Sequence, residues 1–284
     1  MQKRRVVIAG LARDLERIMP LTIKRIERLG RLFGDYQTVI YENDSADQTL
    51  KILKEWERQN HRVTIVSETH NDPTHRPSRN LPRARRMAYY RSQCQEVIMT
   101  DYSDFDDVIL VDTDLEGGWS YDGIANTFGH NEWDFVGAFG VIFRRNGLKP
   151  NELVHYDAWA YRVDEEFTPL TTAAVNALMF DRGDDLVPVT SCFGGLGIYR
   201  MPAFCKGAYD GTDTEHVAFH RRLRDSGYRN MYLNPSQITL YGRRHRSMDK
   251  LVKRITRLPG FSQKPWHYDV EPNLVLPESE RRAA

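Results

Sequence analysis

The residues with the clearest chemical potential are two aspartates at the end of an apolar run, Asp107-Val-Ile-Leu-Val-Asp112-Thr-Asp114. The run is typical of a buried β-strand, and open α/β sheets bind ligands at the carboxyl ends of their strands. In an extended chain, Asp112 and Asp114 would point to the same face. Two neighbouring carboxylates repel each other unless a cation joins them, and Mg²⁺ or Mn²⁺ prefers such oxygen ligands. The pair therefore predicts a metal–diphosphate site, and the alternative is a solvated acidic turn.

A second polar segment, Glu42-Asn43-Asp44-Ser45, follows another predicted strand. Its side chains could bind a ribose or a base, and Asp47 could cap the next helix. The alternative is a plain capped turn. Arg13 occupies the equivalent place after the first strand, so the ends of three strands are expected to meet at one crevice.

Two further sets of polar residues have helical spacing. Arg83 and Arg91 lie eight residues apart and can share one helix face, which could bind anions or be solvated. His216 and His220 are at i, i+4, but the segment lacks the order His-Glu-x-x-His of zinc hydrolases. The alternative for this segment is a helix N-terminus with favourable acidic residues.

The elements that must position these residues alternate between strand and helix in the first half of the chain. Short apolar runs predict strands over 5–10, 36–41, 62–66 and 107–111, with helices over 15–32, 50–56 and 83–97 between them. This βαβαβαβ order predicts a doubly wound α/β fold. The second half is more mixed. It predicts strands over 133–143 and 187–199 and helices over 171–180, 215–227 and 243–257.

Composition excludes several classes of protein. The 284 residues include 40 Lys and Arg against 39 Asp and Glu, and this balance argues against a dedicated nucleic-acid binder. The three cysteines show no Cys-x-x-Cys spacing, so neither a zinc ribbon nor a disulfide framework is predicted. No apolar run approaches the roughly 20 residues of a membrane span, and a cytoplasmic protein is expected.

The organisation predicted from the sequence is a single domain over 1–259, followed by an extended tail over 260–284. Within the domain, the sequence divides into two halves, 1–118 and 119–259. The basic helix over 243–257 has an apolar side, so it is a candidate for peripheral membrane contact, with packing on the core as the alternative.

The order of these motifs resembles the nucleotide-sugar glycosyltransferases of the GT-A fold. Within them, the chain is similar to the fungal capsule-associated α-1,3-mannosyltransferase family, glycosyltransferase family 69, over roughly residues 5–240. Besides the two acidic strand ends, His155-Tyr-Asp-Ala-Trp159 and Thr190-Ser-Cys-Phe-Gly-Gly-Leu196 carry the resemblance. The chain departs from the family where Asp112-Thr-Asp114 replaces Asn-Asp-Val and where Gly194 replaces an Asn.

The resemblance implies a Rossmann-like GT-A fold, with a mixed, mainly parallel sheet flanked by helices. In this fold, 1–118 would form the nucleotide-binding half, and 119–259 would bind the acceptor and complete the metal site. It implies transfer of a hexose, mannose-like being favoured, from a GDP- or UDP-sugar to a glycan or lipid-linked sugar acceptor, with retention of configuration. The residues that it assigns are the metal ligands Asp112, Asp114 and His216; the donor contacts Arg13, Glu42, Asn43, Ser45, Arg83, Arg91 and Asp112; the acceptor contacts Trp159, Gly194 and Gly195; and the catalytic groups Asp157 and Glu215.

Two other functions fit the same residues. A metal-dependent nucleotidyltransferase or phosphatase could use the carboxylates of Asp112 and Asp114. A non-catalytic carbohydrate-binding protein would need neither a metal ion nor turnover of a donor. Products and metal dependence separate these alternatives from a glycosyltransferase.

Overall fold

The computed structural model describes residues 1–73, 81–144 and 152–241. Met1–Tyr241 forms one compact unit. The helix predicted over 243–257 and the tail predicted over 260–284 lie outside the described residues, as does part of the loop predicted over 68–82.

The first half of the chain has the predicted alternation of strands and helices. Its elements are β1 (Arg5–Ala12), α1 (Met19–Gly30), β2 (Asp35–Asn43), α2 (Thr49–Gln59), β3 (Val63–Glu68), α3 (Leu81–Asp101) and β4 (Asp107–Asp112). Helix α1 begins four residues later than predicted, with Pro20 in its first turn, where a missing backbone N–H is tolerated.

The second half contains elements of more varied length, several of which the sequence does not predict. They are β5 (Gly118–Trp119), α4 (Tyr121–Gly129), β6 (Phe135–Arg144), β7 (Glu152–His155), α5 (Thr172–Asn176), β8 (Val187–Pro188), β9 (Leu196–Arg200), α6 (Met201–Phe204), α7 (Glu215–Asp225) and β10 (Met231–Tyr241). Strand β10 has an irregularity between Asn234 and Ile238, where its pairing with β6 shifts register. Pro235 falls in this bulge, which is where a strand tolerates a residue without an N–H.

The ten strands formed by the described residues belong to one sheet, in the order β3-β2-β1-β4-β9-β6-β10-β5, with β7 on β6 and β8 on β10. Strands β3, β2, β1 and β4 pair in parallel, and β6 pairs in parallel with β10. Strand β9 is antiparallel to both β4 and β6, so six strands run in the same direction. The prediction of a mixed, mainly parallel sheet is confirmed.

The sheet separates two hydrophobic cores, and alternate residues of β1 belong to different ones. Val6 and Ile8 pack with apolar residues of α1, α2 and α4, whereas Val7 and Ala9 pack with those of α3 and α7. Helices α3 and α7 therefore cover the same face of the sheet. This arrangement brings side chains of both helices to the carboxyl end of β4.

Candidate active site

Asp112 is the last residue of β4, at the carboxyl edge of the parallel strands. Its Oδ1 accepts a hydrogen bond from Arg91 Nη2 at 3.3 Å, and its Oδ2 accepts one from the Tyr241 hydroxyl. Its backbone N–H donates to the Gly195 carbonyl at 2.8 Å. Burial raises the pKa of Asp112 to about 6; Arg91 opposes this shift and the charge of Asp114 adds to it. Both oxygens of this carboxylate thus already have a donor.

Thr113 anchors the turn between the two aspartates. Its hydroxyl donates to the Leu11 carbonyl, and its own carbonyl accepts a hydrogen bond of 2.9 Å from the Thr22 hydroxyl. Thr113 is buried, and Thr113 and Asp114 lie in the turn that follows β4 rather than in an extended strand. Asp112 and Asp114 are close enough for the charge of Asp114 to raise the pKa of Asp112.

Arg91 is a buried cation on α3, with 5% of its surface exposed. Its Nε lies 3.7 Å from Glu215 Oε1 on α7, and its guanidinium carbon lies 5.2 Å from the centre of the Phe193 ring. Burial disfavours its charge, but the carboxylates of Glu215 and Asp112 outweigh burial and raise the pKa of Arg91. One guanidinium is therefore shared by two carboxylates from different elements.

A turn that contains Gly194 and Gly195 precedes β9 and contacts the end of β4. Asp157 Oδ2 accepts the Phe193 N–H at 2.7 Å, and burial raises the pKa of Asp157 to about 7. Gly194 and Gly195 have φ angles of +62° and +86°, a backbone conformation that favours glycine. A Cβ at Gly194 would collide with the Ala138 carbonyl oxygen. Asp157 and the two glycines thus fix the shape of the turn whose Gly195 carbonyl holds the end of β4.

Tyr241 is a site residue for which the sequence gives no signal, because β10 itself is not predicted. Its ring packs against Tyr156, with 3.9 Å between the ring centroids. Burial raises the pKa of both phenols well above the usual value. The Tyr241 hydroxyl consequently stays protonated and donates a hydrogen bond to Asp112.

The two histidines of α7 have different surroundings. His220 Nδ1 lies 2.8 Å from Ser191 Oγ and its Nε2 lies 2.9 Å from the Tyr199 hydroxyl, so both nitrogens are used within the core. His216 stacks on Phe193 with ring centroids 3.7 Å apart. Among the described residues, neither nitrogen of His216 has a hydrogen-bond partner, and burial lowers its pKa well below the usual value.

Residues 1–73, 81–144 and 152–241 contain no group of three His, Cys, Asp or Glu side chains that could hold a metal ion. The predicted ligands Asp112, Asp114 and His216 therefore do not form such a group. The two aspartates offer the oxygen ligands that a divalent cation prefers, and their charges interact, so this pair fits a cation. The place of His216 as third ligand stays a prediction.

The predicted donor contacts at the end of β2 and in the turn that follows it are held in place before any ligand binds. Glu42 is buried, and its two oxygens accept hydrogen bonds from the Ser45 N–H and the Ser67 hydroxyl at 2.9 and 2.8 Å. Asn43 donates to Asp44, which adopts a φ of +52°. The polar side chains of these residues thus stabilise the turn in which they lie.

Asp44 is a further residue whose role the sequence does not indicate. Its carboxylate accepts the backbone N–H groups of His70, Asn71 and Asp72 at 2.9 to 3.1 Å. Burial opposes ionisation, but the hydrogen bonds outweigh it and lower the pKa of Asp44 to about 2. Arg13 Nη2 donates to the Asp72 carbonyl at 2.7 Å. The ends of β1, β2 and β3 are thereby tied together.

Arg83 and Arg91 lie on α3 as predicted but contact different groups. The Arg83 guanidinium carbon lies 5.4 Å from the centre of the Trp159 ring. The Trp159 carbonyl accepts a hydrogen bond from the Thr214 hydroxyl at 3.1 Å. Arg83, a predicted contact of the sugar donor, and Trp159, a predicted contact of the acceptor substrate, are therefore neighbours. Arg83 lies about 12 Å along α3 from Arg91.

The sequence model of one family, described as Cryptococcal mannosyltransferase 1, matches residues 5–240. Among curated protein sequences, none matches this chain.

Solved structures share the fold at low sequence identity. Mannosyltransferase PcManGT from Pyrobaculum calidifontis, in complex with GDP-Man and Mn²⁺, has a TM-score of 0.50 and 10% identity, covering 89% of this chain and 61% of that one. GalNAc-T7 with UDP, GalNAc and Mn²⁺ has a TM-score of 0.51 and 14% identity, covering 85% and 44%. Residues 1–349 of S. aureus TarS give a TM-score of 0.48 and 11% identity, covering 84% and 60%.

The chain spans less than two thirds of the length of each of these three structures. The likeness shows a GT-A fold, as the resemblance implied. None of the described helices is both long and apolar enough to cross a membrane.

Proposed function

The chain belongs to the family described as Cryptococcal mannosyltransferase 1, and we propose that it transfers a hexose, mannose being favoured, from a nucleotide diphosphate sugar to a hydroxyl of a glycan or lipid-linked acceptor. The observation that carries this proposal is the group around Asp112 at the carboxyl end of β4, where α/β folds bind ligands. GDP-Man occupies the PcManGT structure and UDP the GalNAc-T7 structure, so a GDP- or UDP-sugar is the proposed donor.

The donor nucleotide is proposed to bind across the ends of β1 and β2. Ala12 pairs with Glu42, so the turns that follow these two strands are adjacent. The Glu42 carboxylate holds the Ser45 N–H, and Arg13 reaches the Asp72 carbonyl, which keeps the turns in place before any ligand arrives. A preorganised edge lowers the entropic cost of ordering loops around a ligand.

We propose that Asp112 and Asp114 hold Mn²⁺ or Mg²⁺. When bound, such an ion would supply positive charge that neutralises the negative charge developing on the leaving group. Mn²⁺ is present in the PcManGT and GalNAc-T7 structures. His216, whose ring nitrogens have no hydrogen-bond partner among the described residues, is the proposed third ligand.

The protein groups around the reacting sugar are proposed to orient it. Glu215, held at 3.7 Å from Arg91, would bind sugar hydroxyls, while Trp159 and the turn at Gly194 and Gly195 would face the acceptor. With retention, a front-face reaction needs no protein nucleophile, because the departing phosphate can take the acceptor proton. Asp157 already binds the Phe193 N–H, which supports a positioning role; in an inverting reaction it or Glu215 would be the general base.

The test is to incubate the full chain with GDP- and UDP-sugars, Mn²⁺ and glycan acceptors, and to measure nucleoside diphosphate release and product. Asp114→Asn should lose at least about 100-fold in rate, since a metal ion supplies several kcal/mol of charge stabilisation. Asp225→Asn, at an exposed position on α7, is the matched control. Consumption of a triphosphate with pyrophosphate release would instead establish a nucleotidyltransferase, and glycan binding without turnover a binding protein.

We also propose a cytoplasmic enzyme with peripheral membrane contact through 243–257, supported by the basic residues of that segment. Co-sedimentation of the full chain with anionic vesicles, but not with neutral ones, is the expected result. Equal binding to both kinds of vesicle would contradict the electrostatic part of the proposal.

A further inference from the structure

Each end of β4 has a carboxylate next to arginine, but the charges are balanced differently. Asp107, at the first position, is fully buried and accepts hydrogen bonds from Arg4 Nη2 at 2.8 Å and Arg200 Nη1 at 3.1 Å. At the last position, Asp112 shares the single guanidinium of Arg91 with Glu215. Among the described residues, Asp107 therefore pairs with two arginines, whereas Arg91 lies close to two carboxylates, and the charge of Asp114 also acts on Asp112.

The position of Arg91 matters for any ion that binds Asp112. Arg91 Nη2 lies 3.3 Å from Oδ1, and the Tyr241 hydroxyl occupies Oδ2. Arg91 is buried, so its charge cannot be screened by solvent as a surface arginine would be. Each oxygen of Asp112 keeps a second lone pair, so a divalent cation could still take Asp112 as a ligand, but it would then lie close to the Arg91 charge and be repelled by it.

We propose that Arg91 is the resident cation of the site and that it competes with a divalent ion for Asp112 and Glu215. The inference rests on the proposed function for the identity of the ion, and it deepens that proposal. In the absence of a donor, Arg91 would keep the affinity for metal low. A nucleotide diphosphate would shift the balance, because its phosphates supply further ligands to the ion and further negative charge to the site.

Removing the Arg91 charge should therefore increase metal binding. Without the Arg91 guanidinium, the carboxylates of Asp112 and Glu215, whose side chains are 26% and 10% exposed, would lose their shared counterion and should attract another cation more strongly. Hard divalent ions bind carboxylate oxygens directly, and the negative charge of Asp114 is close enough to raise the pKa of Asp112. The expected change in Arg91→Met is a gain of at least about tenfold in Mn²⁺ affinity.

The experiment measures Mn²⁺ binding to the full chain without nucleotide, by titration of free Mn²⁺ and by the shift of Tm relative to EDTA. Arg91→Met should bind Mn²⁺ more tightly than the wild type, and its Tm should be low in EDTA and recover with Mn²⁺. Arg91→Lys keeps the charge and should resemble the wild type. Arg200→Met is the matched control: Asp107 keeps Arg4, so no gain is expected.

A double variant tests whether Glu215 takes part. Arg91→Met/Glu215→Gln removes one cation and one carboxylate, so it should lose most of the gain in Mn²⁺ affinity. The inference is overturned if folded Arg91→Met binds Mn²⁺ no more tightly than the wild type. It is equally overturned if Arg91→Met stays unfolded by circular dichroism in both EDTA and Mn²⁺, since the ion then cannot replace the guanidinium.

These outcomes are separate from those of the proposed function, because no donor or acceptor is present in the binding experiment. A gain of Mn²⁺ affinity in Arg91→Met without transfer from any nucleotide sugar would support the resident cation and contradict the transferase. Transfer by the wild type with no gain in the variant would support the transferase alone.

Discussion

Tyr241→Phe tests the contact between the end of β10 and the end of β4. The substitution removes only the hydroxyl that donates to Asp112 Oδ2, while the ring can keep its packing against Tyr156. Asp112 would retain Arg91 Nη2 at 3.3 Å and the bond from its own N–H to Gly195. The variant therefore isolates one hydrogen bond between distant parts of the chain.

The expected loss follows from the charge of the acceptor. A hydrogen bond to a charged group contributes about 1.5–3 kcal/mol, so the free energy of unfolding should fall by about 2 kcal/mol when Asp112 is ionised. For a domain of this size class, about 2–4 °C per kcal/mol translates this into a fall in Tm of about 4–8 °C. Because the lost bond lowers the pKa of Asp112, that pKa should also rise in the variant.

The assay is urea unfolding at pH 8 and at pH 5. Asp112 has a folded pKa of about 6, so it is ionised at pH 8 and mostly protonated at pH 5, where the cost of the substitution should shrink. Tyr232→Phe, on the same strand, is the control and should change stability by less than about 0.5 kcal/mol. An equal loss at both pH values, or a loss that persists unchanged in an Asp112→Asn background, would refute the reasoning.

Three further predictions concern buried groups. His155 has a folded pKa of about 4 because of burial, so stability should fall as pH drops from 6.5 towards 4; His155→Phe should remove about 3 kcal/mol of this acid dependence in urea titrations. Asp157 has a folded pKa of about 7, so the protonated carboxyl stabilises the fold at pH 4 and this stabilisation is lost as pH rises from 4 to 7. Asp157→Asn should reduce the fall of the unfolding free energy over this pH range in the same titrations. Gly194→Ala should cost about 2–4 kcal/mol of unfolding free energy, whereas Gly129→Ala, with open space around its Cβ, should change it by under about 1 kcal/mol in thermal unfolding.

The first half of the fold could be predicted because its signals are local. Each of its strands contains a short apolar run, and helices α1 and α2 have apolar residues at helical spacing. Strand β10 could not be predicted in this way, because Asn234, Pro235 and Gln237 interrupt its pattern. It forms a strand because β6 pairs with it on both sides of the bulge. The sequence therefore gives no signal for Tyr241, which is the last residue of this strand.

The site was predictable in its acidic residues and not in their partners. The strand context predicts that Asp112 lies at a ligand-binding edge, but the choice of Arg91 and Tyr241 as partners depends on packing between distant elements. The histidines of α7 show the same limit. Their spacing places His216 and His220 on one helix face, yet the contacts that distinguish them come from the chain around β9.

The acidic residues of the site differ in the groups that their oxygens accept, and this difference determines which of these contacts a bound ligand can replace. Glu42 and Asp44 accept N–H and hydroxyl groups of their own and neighbouring turns. An incoming ion could replace those donors only by breaking the turns. Asp112 and Glu215 instead face the side chain of Arg91, and a guanidinium can be exchanged for another cation without loss of a backbone hydrogen bond. When the sugar donor binds, the replacement of one cation by another should therefore be confined to the end of β4. The turns at the ends of β1 and β2 should keep their conformation and contact the donor through it.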